Sequence, residues 1–429
     1  MPVKILATAD LHLGRKSSAI PQDVAESSVK YTWNRFIDLA IHRQVDIVLL
    51  GGDIIDRDNR YFEAIGPLQN GFAKLKNEGI QVYVVAGNHD YDVIHSILAN
   101  REYENVHFLG EQGTWEKQIF SKNNLEIQFA GWSFPSQHFK HNPLNTFERL
   151  ELDSHKLTIG LLHTEVDMKE TNYAPVTTDE LATKPVDAWI LGHIHKPTDF
   201  DKQNSMIGYP GSPHALNPGE NGIHGPLFIQ AQGKNNITIE RIPLSPVRYE
   251  TINVAIKAGS DETGVREAVT TAIFEHSNAL DIENVSWVVY DVELEGEHSS
   301  VKDIDRWILQ AREDFESETN TGAKVVLRKV VNNVQPAVDN LEELAKHPSP
   351  PGKLAETILA INKGETTPFL DKLVEEWKEK QRKLNNAGVY APLTFKEGGI
   401  PGFDKEMALG YIKKECNKLL SVLIQQKEQ

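Results

Sequence analysis

The strongest constraint on the fold is a pattern of apolar runs that each end in a polar residue. The run 46–50 is short and contains β-branched residues, which is typical of a buried strand, and Gly51, Gly52 and Asp53 follow it directly. Two glycines allow a tight turn, and a carboxylate placed after them can bind two cations through its two oxygens. Asp53 is therefore a candidate bridge between two metal ions, with an ordinary turn as the alternative.

Four other apolar runs end in the same way, each delivering residues that bind metals. These are 3–9 before Asp10 and His12, 80–86 before Asn88, His89 and Asp90, 157–162 before His163, and 188–191 before His193 and His195. In α/β sheets, sites are assembled at the carboxyl ends of the strands. The five runs together predict a layered α/β domain with a functional site along one edge.

These residues, in this order, resemble the signature of the calcineurin-like metallophosphoesterases over residues 3–230. Within that superfamily they are similar to the nuclease component of SbcCD/Mre-type DNA double-strand-break repair complexes. Asp56 stands where the archaeal and eukaryotic nucleases tend to have histidine, so the chain is more similar to the bacterial SbcD type. Asp56 and Arg57 also resemble the corresponding motif of protein serine/threonine phosphatases, which keeps a second enzyme class open. The resemblance implies a metallophosphoesterase β-sandwich flanked by helices.

The resemblance also implies a ligand set and roles for neighbouring residues. One metal would be bound by Asp10, His12, Asp53 and His195, and the other by Asp53, Asn88, His163 and His193. His89 would lie outside both ligand sets and donate a proton to the leaving 3′ oxygen, oriented by Asp90. In the loop 208–213, Tyr209 and Ser212 would contact substrate, with a simple double turn as the alternative.

The chemistry of phosphodiester hydrolysis explains why two metals are expected. Two divalent ions about 3.5–4 Å apart acidify a bridging water and neutralise charge on the phosphoryl oxygens. Mixed carboxylate, amide and imidazole ligands suit Mn²⁺, with Fe²⁺ or Zn²⁺ as alternatives, rather than Ca²⁺. Since no cysteine lies among the candidate ligands, a structural zinc cluster is not expected.

The chain of 429 residues is too long for one core, and three parts are expected. Residues 1–245 are the predicted nuclease domain. Residues 246–335 read as a small α+β module in the order βαβαβ, which by resemblance is a capping domain over DNA. Residues 336–429 are predicted to be helical at 368–384 and 404–426, with breaks at 348–352 and 388–402. These helices either share a core of their own or dock a partner.

Composition and charge restrict the compartment and the binding partners that we expect for this protein. The net charge of −16 lies within residues 1–335, because acidic and basic residues balance after them, and this argues against tight unassisted DNA binding. Cys416 is the single cysteine, so no intrachain disulfide forms, which is typical of a cytoplasmic protein. No apolar run approaches the ~18 residues of a membrane span. The strand starting at Val3 leads directly to Asp10, so no removable signal is expected.

The leading hypothesis is a Mn²⁺-dependent DNA exonuclease and endonuclease, acting 3′ to 5′. By resemblance its partners are DNA and an SbcC-like coiled-coil ATPase, with a homodimer formed through the nuclease domain. The first alternative is a phosphomonoesterase or a small-molecule or cyclic-nucleotide phosphodiesterase with the same metals. The second is an inactive scaffold that binds the ATPase. The length of chain after the nuclease domain favours the macromolecular substrate.

Overall fold

The computed structural model describes residues 2–59, 62–98, 103–168, 171–200, 206–234, 236–299, 301–313, 315, 317–337, 341–385 and 405–427. The chain forms two compact units. One contains residues 1–251, 277–291 and 316–328, and the other contains residues 252–276, 292–315 and 329–429. The predicted loop 388–402 lies outside the described residues.

The first unit contains the strands and helices that precede residue 242. Its strands are β1 Val3–Thr8, β2 Ile47–Gly51, β3 Gln81–Val85, β4 Val106–Phe108, β5 Glu116–Lys122, β6 Leu125–Trp132, β7 Leu157–His163, β8 Ala188–Gly192, β9 Met206–Gly208, β10 Leu227–Gly233 and β11 Asn236–Arg241. Its α-helices are α1 Val29–His42, α2 Phe62–Asn77, α3 Ile94–Leu98 and α4 Thr178–Ala182.

These strands form two sheets. The first has the order β11-β10-β1-β2-β3-β4, and the second has the order β5-β6-β7-β8-β9. Strands β1 to β4 are parallel, as are β6 to β9, whereas β10 and β5 are antiparallel additions. Within each parallel set the carboxyl ends of the strands lie along one edge, which is the arrangement predicted from the sequence.

The two sheets face each other across a shared core. Alternate residues of β1, including Val3 and Ile5, pack with Phe129 of β6 and Ile159 of β7 in that core. The intervening residues of the first sheet face α1 and α2, where Trp33 and other aromatic side chains fill a second core. Each fully buried large apolar side chain contributes about 1.5–3 kcal/mol relative to exposure. The unit is therefore the layered α/β sandwich that was expected.

The first helix begins later than its apolar stripe suggests. The stripe predicts a helix from 23 to 43, whereas α1 spans Val29–His42 and a 3₁₀ turn occupies Ala25–Ser27. Ser28 has extended backbone angles, and its side chain accepts a hydrogen bond from the backbone N–H of Lys30. A serine cap of this kind starts a helix, and it explains the boundary.

A third sheet follows in the chain. Its strands are β12 Val247–Ile256, β13 Trp287–His298, β14 Ser317–Glu318, β15 Lys324–Asn332 and β16 Gln335–Pro336, and its order is β12-β13-β15-β14 with β16 beside β13. Helices α5 Glu262–Ala279 and α6 Val301–Glu313 connect the long strands. The elements thus follow the predicted βαβαβ order, and the capping role stays a prediction.

The second unit ends in four helices, α7 Leu341–Leu344, α8 Pro350–Lys363, α9 Pro368–Asn385 and α10 Lys405–Lys427. The sequence predicted a break at 348–352. The chain is non-helical at 348 and 349, but the break ends earlier than predicted because α8 begins at Pro350. Proline is tolerated in the first turn of a helix, where its missing N–H has no partner to lose. Ser349 caps α8 by accepting from the N–H of Gly352. Among the described helices of both units, none combines the length and apolar composition that crossing a bilayer requires.

The apolar stripes of α9 and α10 divide into a buried part and an exposed part. Leu370, Val374, Ile412 and Leu420 are buried in a core shared with α8. Phe369, Met407 and Leu419 remain 42%, 43% and 54% exposed. We call these three residues the exposed row. The helices therefore have a core of their own and also present apolar side chains to solvent.

Candidate metal centre

The seven expected ligands lie at the carboxyl ends of five parallel strands. Asp10 and His12 follow β1, Asp53 follows β2, Asn88 follows β3, His163 ends β7, and His193 and His195 follow β8. The two sheets meet at this edge, because Nδ1 of His163 lies 3.1 Å from the carbonyl oxygen of Gly51. The site is therefore built where the open ends of both sheets converge.

Four of the seven have left-handed backbone angles. The φ values are 51° for Asp10, 49° for His12, 49° for Asp53 and 102° for His193. Such angles are uncommon for residues other than glycine, cost on the order of 1–3 kcal/mol each, and cluster at functional sites. Backbone hydrogen bonds hold them in place. The N–H of Asp10 donates to the carbonyl oxygen of Gly52 at 3.0 Å, and the N–H of His12 donates to the backbone carbonyl oxygen of Asp53 at 2.9 Å.

Two glycines permit the close approach of these turns. A Cβ on Gly87 would lie 2.2 Å from Oδ1 of Asp53. A Cβ on Gly192 would lie 2.1 Å from the carbonyl oxygen of Gly51 and 2.5 Å from Nδ1 of His163. Both distances are far inside van der Waals contact, so glycine is required at both positions.

The first group of ligands surrounds one point. Asp10, His12 and His195 present ligand atoms within 4.8 Å of one another. The Nε2 atoms of His12 and His195 are 3.0 Å apart, and Oδ2 of Asp53 lies 3.8 Å from Nε2 of His12. This is the first of the two ligand sets implied by the resemblance.

The second group lies on the other side of Asp53. Oδ2 of Asp53 is 3.4 Å from Nε2 of His163, and Oδ1 of Asn88 is 3.2 Å from the same nitrogen. Oδ1 of Asn88 also lies 3.3 Å from Nδ1 of His193. Oδ2 of Asp53 thus faces both groups, whereas its Oδ1 accepts from the backbone N–H of His89 at 2.8 Å. Asp53 would offer Oδ2 to ions at both groups, and its bridging role stays a prediction.

Electrostatics favour a cation at this centre. Burial raises the pKa of Asp10 to about 6, because the desolvation of its carboxylate outweighs the attraction of His163 and His195. In the part of the chain that the structure describes, no hydrogen-bond partner reaches the buried Oδ2 of Asp10. A divalent ion would supply both the partner and the charge. The orphaned oxygen and the mixed O and N donors therefore fit a metal.

The expected ligands differ in charge when no cation is bound. Burial lowers the pKa of His12 to about 4 and that of His193 to about 3, so both rings are neutral at pH 7. Burial opposes the charge on Asp53, but His163 outweighs it and holds the pKa of Asp53 well below its usual range. Burial lowers the pKa of His163, but the Asp53 carboxylate outweighs it and raises that pKa to about 9. Neutral imidazoles and an ionised carboxylate are the ligand forms that metal binding requires, so an ion bound here would displace the proton of His163.

His89 lies beside the ligands with its ring partly open to solvent. Its side chain is 33% exposed, and its Nδ1 lies 3.7 Å from Oδ1 of Asp56. The same Asp56 oxygen lies 3.4 Å from Nδ1 of His12 and 3.9 Å from Nε of Arg15. Asp56 thus faces both an expected ligand and the expected proton donor.

Asp90 has different partners from the one predicted. Its Oδ2 accepts from the backbone N–H groups of Ile54 at 2.7 Å and Ile55 at 3.3 Å, and its Oδ1 accepts from Gly87 at 2.8 Å. These bonds join the turns after β2 and β3. The prediction that Asp90 orients His89 therefore needs correction, because Asp90 holds the backbone and Asp56 is the carboxylate facing the His89 ring.

Tyr209 and Ser212 are buried, and their hydroxyls are used within the protein. The hydroxyl of Tyr209 donates to the carbonyl of Thr164 at 3.0 Å and accepts from Val166, and that of Ser212 donates to the carbonyl of His214 at 2.7 Å. The side chains stabilise the loop. This placement does not fit the expected substrate contact, since neither hydroxyl faces solvent.

Two neighbours of the site were missed by sequence reasoning. Glu220 is buried, and its Oε1 lies 2.9 Å from Nδ1 of His195. The ring of Tyr173 lies 4.6 Å from that of His193, between centroids. Neither residue follows a predicted strand, and neither has a motif spacing to a ligand, so the sequence held no signal for them.

Comparison with known proteins gives one family match. Residues 3–197 match the family model described as calcineurin-like phosphoesterase. An uncharacterized metallophosphoesterase, YhaO of Bacillus subtilis, is 31% identical over 270 residues, which cover 61% of this chain and 65% of that protein, just under two thirds of its length. The SbcD component of the nuclease SbcCD of Staphylococcus epidermidis is 25% identical over 281 residues, which cover 57% of this chain and 71% of that protein. A dimetal phosphatase from Danio rerio aligns structurally with a TM-score of 0.36 at 12% identity, covering 56% of this chain and 99% of that one.

Proposed function

We propose that the protein hydrolyses phosphodiester bonds of DNA with two divalent metal ions, because residues 3–197 match the calcineurin-like phosphoesterase family model. The observation that carries this proposal is the position of Asp53, whose Oδ2 lies 3.8 Å from His12 and 3.4 Å from His163. A carboxylate oxygen between two sets of nitrogen ligands is what a bridged pair of ions requires.

Each ion has four ligands in this proposal. Asp10, His12, Asp53 and His195 hold the ion at position 1, and Asp53, Asn88, His163 and His193 hold the ion at position 2. When bound, such ions acidify water and stabilise charge on the phosphoryl oxygens. Imidazole, amide and carboxylate donors favour Mn²⁺, with Fe²⁺ and Zn²⁺ as alternatives.

His89 donates the proton to the leaving 3′ oxygen. Its partly exposed ring can reach a substrate, and its backbone is tied to Asp53 by the 2.8 Å hydrogen bond. Its Nδ1 accepts a 3.5 Å hydrogen bond from the backbone N–H of Arg57 and lies 3.7 Å from Oδ1 of Asp56, which leaves Nε2 to carry the proton. A positioned histidine is the usual general acid near neutral pH.

DNA is the proposed substrate because of the similarity to the SbcD component of the nuclease SbcCD of Staphylococcus epidermidis. We expect 3′ to 5′ exonuclease activity together with endonuclease activity. The module 246–335 would cap the DNA over the metals. A net charge of −16 disfavours unassisted DNA capture, so a coiled-coil ATPase would bind at the exposed row and bring DNA to the site. A homodimer through the nuclease domain is part of the same proposal.

A substrate comparison tests this function. Metal-free protein reloaded with Mn²⁺ is given end-labelled linear duplex DNA, bis(p-nitrophenyl) phosphate and p-nitrophenyl phosphate. We expect metal-dependent cleavage of the DNA and of the diester, with loss of label first from the 3′ end. Preferential hydrolysis of the monoester without DNA cleavage would instead indicate the phosphomonoesterase alternative. Absence of all hydrolysis with metal bound would indicate a scaffold.

A further inference from the structure

Glu220 is a buried carboxylate held on one side of His195. The residue is 3% exposed. Oε2 accepts from the backbone N–H of Leu216 at 2.8 Å, and Oε1 accepts from the side-chain amide of Asn217 at 2.5 Å. Oε1 also lies 2.9 Å from Nδ1 of His195. Hydrogen bonds from its own loop thus hold the carboxylate in place independently of its contact with His195.

This contact determines which nitrogen of His195 can bind a cation. An ionised carboxylate only accepts hydrogen bonds, so Nδ1 of His195 carries the proton and donates it. The lone pair is then on Nε2, which lies 3.0 Å from Nε2 of His12, in the group that includes Asp10. Glu220 therefore selects the tautomer and ring orientation in which His195 can bind an ion at position 1.

The two metal positions differ in how their histidines are supported. At position 1, His195 is backed by Glu220, whereas Nδ1 of His12 has no hydrogen-bond partner among the described residues and lies 3.4 Å from Oδ1 of Asp56. At position 2, Nδ1 of His163 faces the backbone carbonyl of Gly51 at 3.1 Å. A carboxylate partner increases the basicity of a ligating imidazole more than a neutral carbonyl does.

From this geometry we propose that Glu220 is a positioning residue for the metal ion at position 1, and that it acts through His195. The inference rests on the two-metal function proposed above. It predicts that loss of the carboxylate weakens metal binding at position 1 and leaves binding at position 2 unchanged. The affinities of the two positions then differ.

Binding of Mn²⁺ to the full chain tests this proposal without measuring activity. Glu220→Gln keeps the side-chain size and removes the charge. We expect one Mn²⁺ site to weaken by about 10–100-fold while the other keeps its affinity. Electron paramagnetic resonance of Glu220→Gln loaded with two Mn²⁺ per chain should show isolated ions where the unchanged protein shows coupled pairs. Glu240→Gln, an exposed glutamate on β11, is the matched control and should bind as the unchanged protein does.

A double-mutant cycle distinguishes action through His195 from a general effect on the loop. If Glu220 acts through His195, adding Glu220→Gln to His195→Ala should cause no further loss of Mn²⁺ affinity. Glu220→Asp keeps the charge but moves the carboxylate away from His195. It should cause the same selective loss of Mn²⁺ affinity, and it replaces Glu220→Gln in the test if that variant does not fold. The melting temperature of each metal-free variant identifies those that fold.

Three results would overturn the proposal. The first is that Glu220→Gln and Glu220→Asp each retain two Mn²⁺ sites of unchanged affinity, and the second is that they lose affinity equally at both sites. The third is a further loss of affinity when Glu220→Gln is added to His195→Ala, because the effect would then bypass His195. Failure of the unchanged protein to bind two ions is a separate result, because it contradicts the two-metal function and removes this inference with it.

Discussion

The backbone N–H of His89 donates a 2.8 Å hydrogen bond to Oδ1 of Asp53. This bond joins the proposed proton donor to the proposed bridging ligand. Oδ2 of the same carboxylate faces His12 and His163, so each oxygen of Asp53 has a different task. In the proposed mechanism, this bond would hold the backbone of His89 beside the bridging carboxylate while its ring reaches a substrate.

Replacement of His89 should therefore separate metal binding from proton transfer. We expect His89→Asn to retain both ions and to reduce DNA turnover by about 10²–10⁴. Cleavage of bis(p-nitrophenyl) phosphate should decrease less, because its leaving group needs little protonation. Steady-state rates on both substrates and metal content measure this. His155→Asn, an exposed histidine, is the control; DNA turnover of His89→Asn equal to that of the control would exclude His89 from the mechanism.

Gly192 should be intolerant of a single added methyl group. In Gly192→Ala the Cβ would lie 2.1 Å from the carbonyl oxygen of Gly51 and 2.5 Å from Nδ1 of His163. We expect a loss of about 1–3 kcal/mol in the free energy of unfolding, together with weaker Mn²⁺ binding, because His163 must move. Urea denaturation and metal analysis measure both quantities.

Gly233→Ala is the matched control for this prediction. It lies at the end of β10, and an added Cβ there meets no atom of the described residues within 4 Å. Its effect on the free energy of unfolding should stay within about 0.5 kcal/mol. Equal stability of the two variants would show that the turns around His163 are less tightly packed than the structure indicates.

Stability should fall with acidification because of His214. Burial lowers the pKa of this histidine to about 4 from its ordinary value of 6.5, and its nitrogens contact Ser17 at 2.9 Å and Thr32 at 2.7 Å. Between these two pH values the unfolded chain binds a proton that the folded chain does not. The contribution of His214 is therefore present above pH 6.5 and is lost as the pH falls towards 4, on the order of 3 kcal/mol in total.

The variant His214→Gln removes this titration. Its free energy of unfolding, measured by urea denaturation of the metal-free protein from about pH 7 to about pH 4, should change less steeply with pH than that of the unchanged protein. His141→Gln, which replaces an exposed histidine, should keep the original slope. Identical slopes for the two variants would show that His214 does not stay neutral on folding.

Substitutions in and beside the exposed row should separate partner binding from folding. Leu419 is 54% exposed, whereas its neighbour Leu420 is completely buried. We expect Leu419→Glu to stay folded, to keep Mn²⁺-dependent cleavage of short DNA, and to lose co-purification of the ATPase and ATP-dependent cleavage. Leu420→Glu should instead unfold the helices, because it buries an unpaired charge. Retention of the partner by Leu419→Glu would exclude the exposed row as the docking surface.

Much of the centre could be predicted because the rule behind it is geometric. Parallel strands place their carboxyl ends along one edge, so a polar residue after each strand reaches the same place. What the sequence could not supply was the partners of these residues. Asp90 turns back to the N–H groups of Ile54 and Gly87, and Glu220 reaches His195 through a loop, and neither contact follows a periodic pattern.

The helices show a similar limit. An apolar stripe indicates which residues avoid water, but it does not say how much of the stripe a neighbouring helix covers. Thus Leu370 is buried and the adjacent Phe369 is 42% exposed, although both belonged to one predicted face. Likewise, the prolines at 350 and 351 suggested a break, whereas their position in the first turn of α8 allows the helix to start there.

If two ions bridged by Asp53 carry out the hydrolysis, metal loading and activity must depend on each other, and a titration measures both. Metal-free protein is titrated with Mn²⁺ while bound metal and DNA cleavage are followed on the same samples. Both should rise together and level off at two ions per chain, and Asp53→Ala should abolish both. Saturation at one ion, or two ions retained by Asp53→Ala, would contradict the bridged two-metal mechanism.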